Sequence, residues 1–117
     1  MFFKKHEITR NRVRDKISFR EGGEVLTLRV DGDAMRFVAG LTQAQAILKS
    51  ITAESTDEEV GSAARFFATV IFGDKQAEQL MEFYMNDGAT VINVCGQYFK
   101  QFLLKKVTKA QKKMGSK

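Results

Sequence analysis

The chain has 117 residues, of which 44% are hydrophobic and 28% are charged, with a formal net charge of +5 at pH 7. A chain of this length and composition forms one globular domain that buries roughly 65 to 70% of its unfolded surface, which excludes wholesale disorder. It contains no apolar run near the roughly 18 residues that span a bilayer, no signal-peptide core and a single cysteine, so we expect a cytoplasmic protein without a disulfide.

The charges are distributed unevenly along the chain. Residues 1–20 hold seven Lys/Arg and two acidic residues, residues 21–99 hold five and twelve, and residues 100–117 hold seven and none. This pattern argues against a basic face on the folded core and for basic terminal segments. The predicted division is a basic N-terminal arm over 1–15, a single domain over 16–113 and a disordered tail over 114–117.

Two runs of alternating apolar and polar residues predict a β-hairpin near the N-terminus. The segments KISFR (16–20) and EVLTLRV (24–30) flank Glu21-Gly22-Gly23, where glycine supplies the positive φ that tight turns require. A lone hairpin is only marginally stable in water. Its apolar face therefore has to pack on helices or on the sheet of another chain.

Two helices are predicted directly after the hairpin. The first runs from Ala34 to Ile51 with Asp33 as its N-cap, because apolar residues recur at intervals of three and four. The second runs from about Asp57 to Phe72, and Thr56 and Glu59 at its start have the spacing of a capping box. The predicted buried stripes are Met35, Val38, Leu41, Ala44, Leu48 and Ile51 in the first helix, and Val60, Ala64, Phe67, Val70 and Ile71 in the second.

Two further helices complete the predicted fold. Gly73 is placed to end the second helix, and Asp74 to cap a short third helix that ends near Gly88. The last helix covers about 90–113, and its lysine-rich second half is expected to project from the domain. The predicted stripes are Ala77, Leu80, Met81 and Tyr84, followed by Val91, Val94, Cys95, Tyr98, Phe102 and Val107. The predicted fold class is α+β, an N-terminal β-hairpin packed on a mostly helical body of about four helices.

The candidate catalytic residues all have a simpler explanation, so we expect a non-enzymatic protein without cofactor or metal. His6 is the single histidine and has no cluster of ligands at metal-binding spacing around it. Cys95 has apolar neighbours on its helix, which raise the pKa of a thiol, and it is predicted to be a core residue. The segments Gly22-Gly23 and VDGD (30–33) lack the residues of a phosphate loop or a calcium loop and are interpreted as turns.

The segment RFFATVIFGDKQAEQLMEFY (65–84) predicts two helices joined by a tight turn, which raises the question of DNA reading. The second of these helices has one lysine, Lys75, and several acidic residues, so its exposed face is net negative and would repel DNA. The basic ends could still contact phosphates without sequence specificity. In that alternative, a nucleic-acid-binding accessory protein uses Lys4, Lys5, Arg10, Arg12, Arg14, Lys105, Lys106, Lys109, Lys112 and Lys113.

Residues 16–113 resemble a known protein family. The hairpin, the VDG turn into a helix, the segment FFATVIFGDKQAEQLMEFY and a long last helix ending in lysines are similar to the small tail assembly chaperones of long-tailed phages that infect Gram-positive bacteria. Ala68-Thr69 replaces an Asp of the family pattern, and the arm 1–15 has no family counterpart. The matching residues are Phe66, Phe67, Phe72, Gly73, Leu80, Phe83 and Tyr84.

The resemblance implies a protein that acts in the bacterial host cell, oligomerises, coats the tape-measure protein during tail assembly and leaves before the virion matures. It also implies that a longer form can arise by ribosomal frameshifting. A structural virion connector that stays in the particle is a further alternative.

Two features of the residues themselves also favour protein–protein contacts. The edges of a lone hairpin invite pairing with another chain. The aromatic residues exceed what a short bundle is expected to bury, so Phe37, Phe83 and Tyr84 are predicted interface residues.

Overall fold

The computed structural model describes residues 12–115, with the backbone alone described for residues 110–115. An antiparallel hairpin packs on a helical body, which confirms the predicted α+β class. The elements are β1 (Arg12–Glu21), β2 (Glu24–Asp33), α1 (Ala34–Lys49), α2 (Asp57–Phe72), α3 (Asp74–Phe83), α4 (Gly88–Tyr98), a π-helical segment (Phe99–Leu103) and α5 (Leu104–Gly115). Within the described range, no helix has the length and the apolar character needed to cross a membrane.

The hairpin begins earlier than predicted. Gly22 and Gly23 form its turn with φ of 56° and 86°, and the two strands pair from Glu21↔Glu24 back to Arg12↔Asp33. The part of the predicted arm from residue 12 to residue 15 therefore belongs to β1. The segment VDGD (30–33), interpreted as a turn, is instead the end of β2 and pairs with these residues. The reason is tertiary: Val13 is 3% exposed and packs in the core, although charged neighbours hide the alternation in the sequence. Residues 1–11 of the predicted arm lie outside the described residues.

Helix α1 has the predicted cap but a different buried face. Asp33 accepts a hydrogen bond from the backbone N–H of Met35, as an N-cap does. Met35 itself is 51% exposed, whereas Phe37 is buried, so the predicted stripe is wrong in the first turn. The cause is Gly32 in β2: a Cβ there would lie 2.8 Å from the Phe37 ring, and its absence lets the ring pack under the hairpin.

The corner between α2 and α3 is built around Gly73. The predicted capping box of α2 is confirmed, since Thr56 and Glu59 exchange side-chain and backbone hydrogen bonds. Gly73, with φ of 88°, is both the C-cap of α2 and the N-cap of α3. Asp74 is therefore the first residue of α3 rather than its cap, and its side chain makes no capping hydrogen bond.

The last helix changes register at the π-helical segment. Val91, Cys95 and Tyr98 are buried on α4, at helical spacing. The π segment then adds one residue, so Leu103 and not Phe102 faces the core, and Phe102 is 51% exposed. The second half does not simply project, because α5 contacts α1 and β1. Of the predicted tail, residues 114 and 115 continue α5 and residues 116 and 117 lie outside the described range.

A chain of aromatic rings joins the hairpin to the helices. The Phe19 ring lies edge-on to Phe72 at 5.9 Å and to Tyr84 at 6.4 Å between centroids, and Phe72 stacks on Tyr98 at 5.9 Å. Strand β1 and helices α2, α3 and α4 thus share one core.

Candidate functional site

Two of the three predicted interface residues lie in the core, so that prediction is wrong for them. Phe37 is 5% exposed and Tyr84 is 8% exposed. The prediction counted only helices as cover, whereas the hairpin forms a second layer that buries both rings. Phe83 is half-buried against Tyr84, with ring centroids 5.0 Å apart, and its role at an interface stays a prediction.

The residues that carry the family resemblance mostly build the α2–α3 corner. Gly73 supplies the positive φ of the turn, and Phe66 and Phe83 are half-buried. The fully buried members are Phe67, Phe72, Leu80 and Tyr84. Packing accounts for these residues, so their pattern is a signature of the corner, and Phe67 also lines the apolar cleft described below.

The predicted nucleic-acid residues fall into two described groups. Arg12 donates a hydrogen bond to the Asp31 carboxylate at 2.9 Å, and Arg14 lies 3.6 Å from the same oxygen. The hydrogen bond from Arg12 lowers the pKa of Asp31 below its ordinary value. The second group is exposed on α5 and comprises Lys105, Lys106 and Lys109.

These two basic groups lie on neighbouring elements, because α5 contacts β1. The remaining predicted contacts cannot be placed in the same way. Lys4, Lys5 and Arg10 lie outside the described residues, and Lys112 and Lys113 belong to the part of α5 whose side chains are not described.

The buried titratable groups have structural roles. Cys95 is fully buried, as predicted, and burial raises the pKa of its thiol to about 12. The Tyr98 hydroxyl donates a hydrogen bond to the Asp15 carboxylate at 2.8 Å. Burial and this hydrogen bond raise the pKa of Tyr98. Within residues 12–115, no three His, Cys, Asp or Glu side chains lie close enough together to hold a metal ion.

An apolar cleft of about 430 Å³ opens between α1, α2 and the last helix. Its apolar lining consists of Leu41 and Phe67, which are buried, and of Leu48, Ile92 and Phe99, which are half-buried. Gly96 also lines the cleft, and a Cβ at that position would meet no atom within 4 Å. The polar lining residues are Gln45, Asn93, Gln97, Lys100 and Gln101.

The sequence pattern did not predict this cleft. Two of its features arise from tertiary structure. Phe99, the first residue of the π segment, lines the cleft, and the space beside Gly96 is open. A cleft lined by apolar side chains with a few polar groups is typical of ligand-binding sites, and an apolar groove can also take an amphipathic helix.

A second concavity lies where the end of α1 meets the start of α2. Its volume is about 760 Å³, and Phe66 and the Glu58 and Glu59 carboxylates are among its lining residues. Both glutamates belong to the first turn of α2, where negative charge stabilises the helix. Its acidic groups therefore already have a structural explanation.

Comparisons with protein-family models, with curated proteins and with solved structures found no match to this chain.

Proposed function

We propose that this protein is a non-enzymatic assembly chaperone of a phage tail, which binds the tape-measure protein or another tail protein in the cytoplasm of the bacterial host. The observation that carries the proposal is the apolar cleft between α1, α2 and the last helix. The resemblance of residues 16–113 to tail assembly chaperones supports the choice of partner.

The chemistry of the cleft fits a helical segment of a partner. Its apolar lining would take side chains that recur on one face of an amphipathic helix. The amides of Gln45, Asn93 and Gln97 would meet the polar flank of such a helix, and Lys100 would meet an acidic residue on it. Tape-measure proteins are expected to be very long coiled coils, which offer many faces of this kind.

A substitution at Gly96 tests the cleft directly. The tape-measure protein encoded in the same genome is co-expressed with the wild type, with Gly96→Leu and with Gly61→Leu. Gly61 is the matched control, because it also lies in a helix, also has open space at the Cβ position and does not line the cleft. The wild type and Gly61→Leu should keep the tape-measure protein in solution and co-purify with it, whereas Gly96→Leu should bind at least tenfold more weakly.

The proposal fails if Gly96→Leu binds as tightly as the wild type while its thermal unfolding shows an intact fold, or if the wild type itself does not bind. Mass spectrometry of purified particles separates a chaperone from a structural connector, since a chaperone is expected to be missing from them. Light scattering measures the oligomeric state, which tests whether the protein can coat the tape-measure protein as an oligomer. A strict monomer at micromolar concentration contradicts a coating oligomer.

Nucleic-acid binding is the second candidate. It is favoured by the contact between α5 and β1, because Arg12 and Arg14 lie on β1 and the exposed residues Lys105, Lys106 and Lys109 lie on α5. The test is a salt titration with duplex DNA, because phosphate contacts weaken steeply with salt. Binding that falls below detection at 50 mM salt would reject this candidate.

A further inference from the structure

We infer that the outer edge of β1 is a second binding site, which takes an extended segment of alternating acidic and apolar residues from a partner protein as a third strand. The inference goes beyond the proposed function and does not depend on it, because none of the residues that line the cleft lies on β1.

The side chain of Gln76 reveals which backbone groups point outward. Its Oε1 accepts from the N–H of Arg29 at 2.9 Å, and its Nε2 donates to the C=O of Arg29 at 2.7 Å. The backbone groups of Arg29 therefore point away from β1. Directly opposed residues of an antiparallel pair share this orientation, so Lys16, which pairs with Arg29, turns its N–H and C=O to the outer edge of β1. Ser18 and Arg20, at alternate positions, do the same.

The outward backbone groups on the two edges of the hairpin differ in their hydrogen bonding at Arg29 and at Lys16, Ser18 and Arg20. Gln76 on α3 closes the β2 edge at Arg29, and it is held there by a third hydrogen bond to the C=O of Phe72 at 2.8 Å. Between residues 12 and 115, by contrast, the outward N–H and C=O groups of Lys16, Ser18 and Arg20 make no hydrogen bond. Such an edge is a template for one more strand.

The charge along this edge selects an acidic partner. Lys16 and Arg20 are exposed on the solvent face, and Lys16 lies directly across from Arg29. Opposed like charges destabilise a strand pair, and acidic residues on an added strand would offset them. A second copy of β1 is disfavoured as the occupant, because self-pairing would bring cations against cations.

The inner face of the hairpin indicates which residues alternate with the acidic residues on the added strand. Ile17, between the two outward cationic positions, points toward the helices and is only half-buried. An apolar residue on the added strand would cover it, since neighbouring strands lie about 5 Å apart. The expected segment therefore carries acidic residues at alternate positions, opposite Lys16 and Arg20, with apolar residues between them.

The probe is a fluorescein-labelled peptide, Glu-Val-Glu-Val-Glu-Val-Glu, added to the full chain at 150 mM salt, with Lys-Val-Lys-Val-Lys-Val-Lys as its comparator. Anisotropy should show saturable binding of the acidic peptide and at least tenfold weaker binding of the basic one. Amide hydrogen exchange followed by NMR should slow at least tenfold at Lys16, Ser18 and Arg20 when the acidic peptide binds. That protection distinguishes strand pairing from general electrostatic attraction.

The test variant is Lys16→Glu, and Lys49→Glu is the control with the same change of charge at an exposed position outside the hairpin. Lys16→Glu places an acid opposite Arg29, which stabilises the hairpin, so a loss of binding cannot be attributed to unfolding. Lys16→Glu should weaken peptide binding at least tenfold, and Lys49→Glu should leave it within twofold. Gly96→Leu should also retain it, which separates failure of this site from failure of the cleft.

Four outcomes would overturn the inference. The first is binding without protection of the three amides, and the second is equal loss in Lys49→Glu. The third is that duplex DNA binds more tightly than the acidic peptide and that Lys16→Glu weakens DNA binding as much as peptide binding, which would make the surface a nucleic-acid site. The fourth is protection of these amides in the free protein that grows with its concentration, which would make a second copy the occupant.

Discussion

At the scale of single residues, the hydroxyl of Tyr98 connects two parts of the chain that are 83 residues apart. It donates to Asp15 on the inner face of β1, while the Tyr98 ring stacks on Phe72. The hydrogen bond therefore fixes the start of the hairpin on α4. Because the acceptor is a carboxylate, the bond is worth more than a neutral one.

We predict that Tyr98→Phe lowers the free energy of unfolding in urea by about 1–2 kcal/mol at pH 7, because the Asp15 carboxylate loses its donor. Tyr84→Phe is the control and should change it by less than about 0.5 kcal/mol, because the Tyr84 hydroxyl makes no hydrogen bond to the described residues.

The wild type and Tyr98→Phe also test the direction of the pKa shift of Tyr98. The pKa of Tyr98 is raised above its ordinary value of 10.0 in the folded state. The unfolded chain therefore loses the proton first, and the stabilisation is complete below pH 10 and is lost as the pH rises further. The advantage of the wild type over Tyr98→Phe should shrink above pH 10, and a difference that stays constant up to pH 11 would contradict the assignment.

Two helical glycines make a matched pair with opposite expectations. Gly96 has open space where a Cβ would lie, so Gly96→Ala should raise the free energy of unfolding by about 1 kcal/mol through helix propensity. At Gly40 a Cβ would lie 2.8 Å from Cγ1 of Val70, a stiff β-branched side chain. Gly40→Ala should therefore lower stability by about 1 kcal/mol or more. Equal stabilisation of both variants in thermal unfolding would show that α1 and α2 are not packed so closely.

At the scale of elements, the π-helical segment determines which residues of the last helix face the core. The spacing from Cys95 to Tyr98 is helical, and an uninterrupted α-helix would continue the buried stripe to Phe102. The extra residue of the π turn moves the stripe to Leu103 and Val107, which are both buried. It also places Phe99, Lys100 and Gln101 on the cleft. The segment therefore links the packing of α5 to the shape of the candidate site.

Deletion of Gln101 should convert the π segment to a regular α-helix and keep Leu103 and Val107 on the buried side. We predict an unchanged or higher free energy of unfolding, together with weaker partner binding because the cleft changes shape. Insertion of an alanine after Gln101 is the contrasting change: it turns both apolar side chains toward solvent, at a cost of about 1.5–3 kcal/mol each. A deletion as destabilising as the insertion would contradict this account of the register.

At the scale of the whole molecule, the hairpin and the helices depend on one core. Phe19 contacts both Phe72 and Tyr84, and Leu28 and Val30 of β2 are each only 1% exposed. An isolated hairpin is marginally stable, so the helices stabilise the strands by covering their inner face. The hairpin in turn covers Phe37 and Tyr84, which would otherwise be exposed.

Phe19→Ala should lower the free energy of unfolding by about 3–5 kcal/mol and should destabilise strands and helices together. Urea unfolding followed by circular dichroism for the helices and by NMR amide signals for the hairpin should give coincident transitions. Val25→Ala, at a tip position that is 50% exposed, should change stability by less than about 0.5 kcal/mol. Loss of the hairpin signals alone would show that the two layers fold separately.

The parts of the fold that the sequence predicted depend on local interactions. The Asp33 cap, the Thr56–Glu59 capping box and the Gly22-Gly23 turn each involve residues within four positions of one another, so their signals can be read directly. The predicted cap of α3, Asp74, lies one residue after the observed cap, because Gly73 serves two helices at once. The candidate cleft was not predicted, since its lining comes from separate helices.

By itself, the sequence determined the α+β class, the order of the elements, the turns at Gly22-Gly23 and Gly73 and the burial of Cys95, because periodicity and capping act over a few residues. Only the tertiary structure decided that Phe37 and Tyr84 are core residues, that Leu103 replaces Phe102 on the buried face, and that β1 begins at Arg12. It also decided that Gln76 closes the β2 edge at Arg29, while the outward backbone groups of Lys16, Ser18 and Arg20 on β1 make no hydrogen bond to any residue that the structure describes. The physical reason is that burial and edge pairing depend on which element packs on which, and the residues that meet lie far apart in the chain.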